Sequence, residues 1–323
     1  MTNDVILRSR VRLARNIKDY PFPPALNDTC RKEIIEKVIN SITDFKNDTK
    51  ISDSIYAHTL FEENLVSREF ATDKERHALL KNTDEETFIM VCEEDHLRIQ
   101  AFTSGLNLQK AGERALICER RLSEKINFAF DNELGYLTRC PTNLGTAMRA
   151  SVMMFLPALT LLNRMGDVKS QLEKIGMTIR GMYGEGSSAD AYMYQISNRL
   201  SLGHSEEDIF RKTEAVAKQI ADDETNARTT LFEANKDKLT DKIMRSLGIL
   251  KYAHIISSKE FLDCFAYIRL GISLNIINDV SYDLLDKLLY DTMPAHIIKM
   301  CENKSTDAAI RDKMRAQYIK SFL

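Results

Sequence analysis

The sequence predicts an α+β protein: an antiparallel sheet flanked by helices, followed by a C-terminal all-α domain. Three observations carry this. Segments of β character, at residues 5–16, 87–100, 177–183 and 194–202, all lie in the first two thirds of the chain. Residues 94–98 place a polar face over an apolar back, as in an antiparallel sheet, and the glycine-bearing turn at 184–186 has no βαβ surroundings, which argues against a dinucleotide-binding fold. Beyond residue 250 every segment reads helical, two of them with an apolar stripe behind a serine start at Ser257 and Ser281.

Totals set the bounds. A chain of 323 residues, 44% hydrophobic and 28% charged, suits two globular domains. A net charge of −2 gives no reason to expect nucleic acid. The six cysteines form no CxxC pair, which argues against a zinc ribbon and for free thiols in a reducing compartment. With no basic-then-apolar leader and no apolar run long enough for a membrane span, a cytoplasmic protein without membrane contact is expected.

The first strand interleaves Arg8, Arg10, Arg12 and Arg15 with Val11, Leu13 and Ala14. Side chains alternate along a strand, so Arg8, Arg10 and Arg12 share one face. Three guanidinium groups there repel one another unless an anion lies between them, and arginine's planar fork suits phosphate or carboxylate. The plainer reading is a solvated basic edge. After the rigid Tyr20-Pro21-Phe22-Pro23-Pro24, one of Asn27, Asp28 or Thr29 caps a helix with the core stripe Ile34, Ile35, Val38, Ile39, Ile42 and Phe45. Residues 55–65 look partly strand-like. Residues 87–92 are β-rich and run into Glu93-Glu94-Asp95-His96-Leu97-Arg98. Taken as one strand, this puts Glu94, His96 and Arg98 on one face over an apolar back, which is either a site floor or a solvated Glu–Arg pair. Residues 108–126 are helical.

The stretch from Cys140 to Val152 reads as a tight turn (Pro141, Asn143, Gly145) opening into an apolar helix that continues to residue 162. A helix start there, near Arg149, would suit an anion, and a thiol beside positive charge tends to thiolate. The alternative is a structural loop with a buried cysteine. A helix ends at Gly176, and residues 177–188 form a strand entering a glycine loop in which Glu185 either closes over a ligand or sits on a surface turn. Ser205 starts a long helix that reaches Gly248. Ser257, Ser281 and two further segments, 295–301 and 307–323, complete a helical remainder, so a boundary is placed near residue 250. About 70 residues are marginal alone, which makes a partner surface plausible there.

The chain has no Walker A, no protein-kinase loop set, no HExxH, no GxSxG and no set of metal ligands. It has instead Arg10, Arg12, Arg98, Arg149 and Arg180 at strand or loop positions. Converging, they would cradle a polyphosphate, and phosphoryl transfer needs mostly charge neutralisation and alignment. Glu94 and Glu185 would repel phosphate, so they suit a cationic acceptor.

Four motifs, Ser9-Arg10-Val11-Arg12-Leu13-Ala14-Arg15, Glu93 to Arg98, Cys140 to Val152, and Arg180-Gly181-x-x-Gly184-Glu185, resemble the phosphagen (guanidino) kinases in order and spacing over residues 4–230. Within that superfamily the chain is most similar to the bacterial protein arginine kinases. The large N-terminal helical domain of small-guanidine kinases is missing ahead of Ser9, and Arg311-Asp312-x-x-Arg315-Ala316 resembles a signature of the protein-directed branch.

The resemblance implies a catalytic domain at 1–230, a connector at 231–250 and a dimerisation and phosphoarginine-binding domain at 251–323. It implies ATP bound with Mg²⁺ by Ser9, Arg10, Arg12, Arg98, the run Arg149, Ala150, Ser151, Val152 and Met153, and the run Arg180, Gly181, Met182, Tyr183, Gly184 and Glu185. Glu94, Glu185 and Cys140 would act on the acceptor guanidinium. Arg311, Asp312, Arg315 and Ala316 would read phosphoarginine for feedback. Protein substrates presenting arginine, a zinc-binding activator, a Clp-type chaperone-protease and a homodimeric state also follow from the resemblance. So does a role in marking proteins for regulation or degradation under stress. Two positions depart from the small-guanidine pattern: Met153 replaces a histidine, and Asn64 stands where an adenine-stacking histidine is usual. A small-guanidine kinase and a non-enzymatic phosphoarginine-binding adaptor are the competing readings.

Overall fold

The computed structural model describes residues 4–73, 76–84, 86–182, 190–301 and 307–323. Its strands are β1 (Ile6–Arg15), β2 (Lys46–Asn47), β3 (Ala78–Asn82), β4 (Thr87–Val91), β5 (Leu97–Ser104), β6 (Phe130–Asp131), β7 (Gly135–Tyr136), β8 (Met148–Phe155), β9 (Met177–Gly181) and β10 (Met193–Asn198). Eight of them form one sheet in the order β2-β3-β4-β5-β1-β8-β10-β9, with every pairing antiparallel, while β6 and β7 make a separate ribbon.

The helices are α1 (Asp28–Ser41), α2 (Ser54–Glu62), α3 (Arg68–Thr72), α4 (Leu108–Ser123), α5 (Pro157–Leu161), α6 (Met165–Lys174), α7 (Glu206–Tyr252), α8 (Ser258–Ser273), α9 (Tyr282–Asp291), α10 (Pro294–Met300) and α11 (Ala308–Lys320). Their starts follow local chemistry. Asn27, Ser205, Ser257 and Ser281 each accept a backbone N–H two or three residues into the helix they cap.

Alternation divides the sheet into two faces. Val11, Leu13, Ile99, Ala101, Ala150 and Val152 enter the main core beneath α4 and α7. Leu79, Phe88, Met90 and Phe102 point the other way and pack with α2 and α3. Arg8, Arg10 and Arg12 of β1, Arg98 of β5 and Arg149 of β8 share that second face, whereas Arg15 turns into the core and pairs with Glu119 of α4 (3.2 Å). The long α7 is seated by Glu224, which is fully buried. Glu224 accepts the first free N–H groups of α5 from Ala158 (3.1 Å) and Leu159 (3.0 Å) and pairs with Arg228 (2.7 Å). Burial pushes the Glu224 carboxyl up, and Arg228 with the two N–H groups opposes it.

Three expectations are corrected. Residues 55–65 are not strand: Asp53 caps Ile55 and Tyr56, α2 follows, and the chain turns at Asn64 with φ 59. The stretch after Arg149 is β8 rather than a helix, and only a short 3₁₀ turn, Pro141–Asn143, follows Cys140. Strand β8 lies between β1 and β10 with most of both faces covered, so its apolar run carries no period to distinguish strand from helix. Residues 93–96 form the tight connection between β4 and β5, entered through Cys92 at φ 63, instead of continuing a strand.

Candidate active site

The arginine cradle is made by register. On β1, Arg12 stands opposite Arg149 of β8 and opposite Gln100 of β5, two residues from Arg98. Arg10 stands opposite Ser151 and Phe102. Ser197 of β10 accepts from Arg149 Nε (3.1 Å) and Nη2 (2.9 Å), and Arg180 of β9 lies opposite Gln195.

These cations stand half-buried beside one another. Burial, then the charges of Arg8, Arg149 and Arg98, pushes the Arg10 guanidinium down to about 9. Burial and Arg10, Arg149 and Arg98 hold Arg12 well below the usual arginine range, with Glu93 opposing. Arg12 Nε is buried with no hydrogen-bond partner. A donor left unsatisfied among like charges is costly, and a polyanion removes both penalties. The residues present therefore fit a nucleotide triphosphate. Among the described residues no group of three or more His, Cys, Asp and Glu side chains is placed to hold a metal ion.

Next to the cradle lie the carboxylates. Arg98 Nη2 pairs with Glu94 (2.8 Å) and Glu93 (2.7 Å), and Ser67 Oγ donates to Glu93 (2.6 Å). Burial raises the Glu94 carboxyl above the ordinary range, the charge of Arg98 opposes it, and Asp95 and Glu93 add to it. Asp95 joins this turn to the Cys140 segment, because its Oδ1 accepts from Asn16 Nδ2 (2.6 Å) and from the Arg139 N–H (2.8 Å). Cys140 Sγ lies 3.0 Å from Thr142 Oγ1. Glu94 and Cys140 thus sit on two turns stitched together by one buried aspartate.

His96 is not on this floor. It is fully buried, takes the Ile17 N–H on Nδ1 (2.9 Å) and lies 2.8 Å from the Pro21 carbonyl through Nε2, and burial lowers its pKa. These two contacts assign the Nε2–H tautomer. The turn that replaces the expected strand rotates His96 into the core while leaving Glu94 with Arg98. The expected anion site at a helix start also disappears, since Arg149 lies in a strand.

The other site residues divide by alternation. The side chains of Ser9, Ala150 and Val152 occupy the helix-covered face, where Ser9 Oγ donates to the Gly105 carbonyl (2.8 Å) and accepts from the Asn107 N–H (3.0 Å). Ser151, Met153 and Met182 line a cavity of about 250 Å³ beside Arg10. Gly181 ends β9 opposite Tyr194. Asn64 turns its carbonyl to Arg10 Nη1 (3.4 Å). Tyr183, Gly184 and Glu185 lie outside the described residues.

Sequence reasoning missed Ser67 and Ser197, and it left Glu93 and Asp95 inside the acidic motif without a role of their own. The signals were three successive acids in need of partners and, for Ser197, a polar residue on the alternation of β10.

In the tail, Arg315 is buried. It donates to the carbonyls of Thr292 (2.8 Å) and Ile256 (2.8 Å) and to Asp312 (2.6 Å), while the Asp312 carbonyl accepts the Ile256 N–H (3.1 Å). Ala316 is fully buried, and Arg311 Nε has no partner.

Residues 30–227 match the family model for the ATP:guanido phosphotransferase C-terminal catalytic domain, and residues 236–323 match that for the protein-arginine kinase McsB C-terminal domain. A protein-arginine kinase of Clostridium acetobutylicum is 41% identical over 330 residues, 99% of this chain and 96% of its own. The chain belongs to the protein-arginine kinase family. A protein-arginine kinase of Clostridium tetani is 38% identical over 323 residues, 98% of this chain and 95% of its own. Among solved structures, lombricine kinase superposes with a TM-score of 0.61 at 22% identity, over 70% of this chain and 67% of that one. The duplicated taurocyamine kinase of Schistosoma mansoni gives the same TM-score at 22% identity, over 86% and 48%. These two share the guanidino-kinase fold, with its antiparallel sheet and flanking helices. Membership makes the chain a phosphotransferase whose acceptor is a guanidino nitrogen.

Proposed function

We propose that this enzyme phosphorylates arginine side chains of proteins from ATP, with the arginine face as phosphate cradle and Glu94 as the group that receives the acceptor. The observation carrying this is the row of half-buried guanidinium groups next to a carboxylate of raised pKa. When bound, ATP supplies the transferable γ-phosphoryl group. Arg10, Arg12, Arg98, Arg149 and Arg180 hold its phosphates and neutralise the charge that builds during transfer. Mg²⁺ bound with the nucleotide would add to the charge neutralisation that these arginines supply.

A free arginine guanidinium has a pKa above ~12, so a carboxylate cannot deprotonate it beforehand. Glu94 takes the proton as the guanidino nitrogen bonds phosphorus and ADP leaves with the bridging oxygen. A raised carboxyl pKa makes Glu94 a better base. Glu185 is proposed to pair with the same guanidinium, and Cys140 to flank it. Neither is assigned a covalent intermediate.

The family name supports protein-borne arginine over a small guanidine as the acceptor. The test is to offer ATP with either an unfolded protein or free arginine and to look for acid-labile phosphate on arginine by mass spectrometry. Phosphorylation of free arginine alone would establish the phosphagen-type alternative.

The buried Nε of Arg311, which has no hydrogen-bond partner, supports a phosphoarginine pocket on α11, with Arg315 and Asp312 fixing the helix that presents it. The remaining proposals rest on family resemblance: a homodimer, a cytoplasmic setting, a zinc-binding activator, a Clp-type chaperone-protease partner, and a role in marking proteins for degradation under stress.

A further inference from the structure

The cavity beside Arg10 has a wall that does not come from the sheet. One side carries Met153, Met182 and Met193 from β8 and the segments around β9 and β10. The floor is Phe102, on which Arg8 stacks with its guanidinium carbon 3.7 Å from the ring centre. The outer side is α9 of the C-terminal region, which contributes Asp286, Leu289 and Tyr290. That helix is fixed from behind, because the buried Arg269 of α8 donates to Asp286 (2.5 Å) and lies over the Tyr282 ring (4.7 Å). A second cavity of about 320 Å³ opens past Arg8 and Tyr290 toward Glu63, Glu86 and Lys287.

Strand geometry says what belongs there. Arg12, Arg10 and Arg8 share one face of β1 at steps of about 6.7 Å. A triphosphate laid across Arg12 and Arg10 has its other end at Arg8, in the cavity. What fits is flat, mostly apolar and tolerant of sulfur contacts, which describes a nucleobase and its sugar.

We propose that α9 forms the outer wall of the nucleoside pocket, with Tyr290 and Leu289 closing over the base and sugar, so that the tail belongs to the nucleotide-binding machinery. The proposal rests on the reading of the arginine face as the phosphate cradle. Nucleotide occupancy and the position of the tail are then linked, each favouring the other.

The test uses the full chain and two probes, ADP and inorganic tripolyphosphate, measured by titration calorimetry. Tyr290→Ala should weaken ADP about tenfold, the scale of a lost aromatic wall, and leave tripolyphosphate unchanged. Tyr290→Phe keeps the ring and should bind ADP as the parent does. The chain contains no tryptophan, so Tyr290→Trp gives a single fluorescent reporter that should respond to ADP and not to tripolyphosphate. This arm holds even if the alanine variant does not fold. Equal ADP affinity in Tyr290→Ala, loss in Tyr290→Phe as large as in the alanine variant, or a silent Tyr290→Trp would each overturn the proposal. If the parent bound neither probe, the cradle reading would fall first and the proposal with it.

Discussion

Arg12 opposes the stability of the fold. Its guanidinium faces three other arginines, and its buried Nε has no partner. Such a residue is retained for a ligand, at a cost to the folded state. Arg12→Met keeps the length of the side chain and removes the charge. The variant should melt higher than the parent by about 2 °C or more, and lose at least about a hundredfold in kcat/KM for arginine phosphorylation. Thermal unfolding supplies a second readout: tripolyphosphate should raise the melting temperature of the parent and not that of the variant. A variant that melts lower, or still responds to tripolyphosphate, would show that Arg12 has a structural partner instead. The alternation that put Arg8, Arg10 and Arg12 on one face was legible because a period of two is local. That Arg12 faces Arg149 was not, because register between residues so far apart in sequence is set by the whole sheet.

At the scale of elements, the junction of α2 and α10 holds a charged clamp. His296 Nδ1 lies 2.9 Å from Glu62 and Nε2 3.0 Å from Glu63, and Glu62 also accepts the Ala295 N–H (2.7 Å) at the start of α10. Burial lowers the imidazole pKa, yet the hydrogen bonds and charges of the two glutamates carry it up to about 9. The sign follows from linkage. Unfolded histidine titrates near 6.5, so below that pH both states hold the proton and the clamp contributes fully. As pH rises toward 9 only the folded state keeps the proton, and the contribution drains away. Denaturant melts at pH 6 and pH 9 should differ by on the order of 2 kcal/mol through this group, and His296→Gln should remove that difference. An unchanged pH dependence in the variant would discard the clamp. Neither helix alone hints at the pairing. The serine and asparagine caps were readable because cap chemistry lies within three residues, whereas Glu62 and His296 are 234 positions apart. Strand β8 was misread for a different reason: cover on both faces erases the alternation that marks a strand.

At the scale of the molecule, the catalytic and tail regions share α7. This helix runs 47 residues with one non-helical residue at Asn235. It caps the sheet with its first half and, through Ile243, Leu247 and Leu250, packs on α8 with its second. The packing there is close, since a Cβ on Gly271 of α8 would lie 2.5 Å from the Ile243 side chain. The clamp at α2 and the α9 wall join the two regions again elsewhere. Three separate seams mean that releasing the tail exposes a continuous apolar strip on α7 and opens the cavity beside Arg10. The full chain should therefore unfold in a single calorimetric transition whose van't Hoff and calorimetric enthalpies agree, and saturating ADP should move that transition upward as one. Two resolved transitions, with only the earlier or only the later one responding to ADP, would mean that the tail folds as an independent body and that nucleotide binding does not reach it. A single ADP-responsive transition is what a nucleotide site built from both regions requires, because ordering one wall then depends on ordering the other.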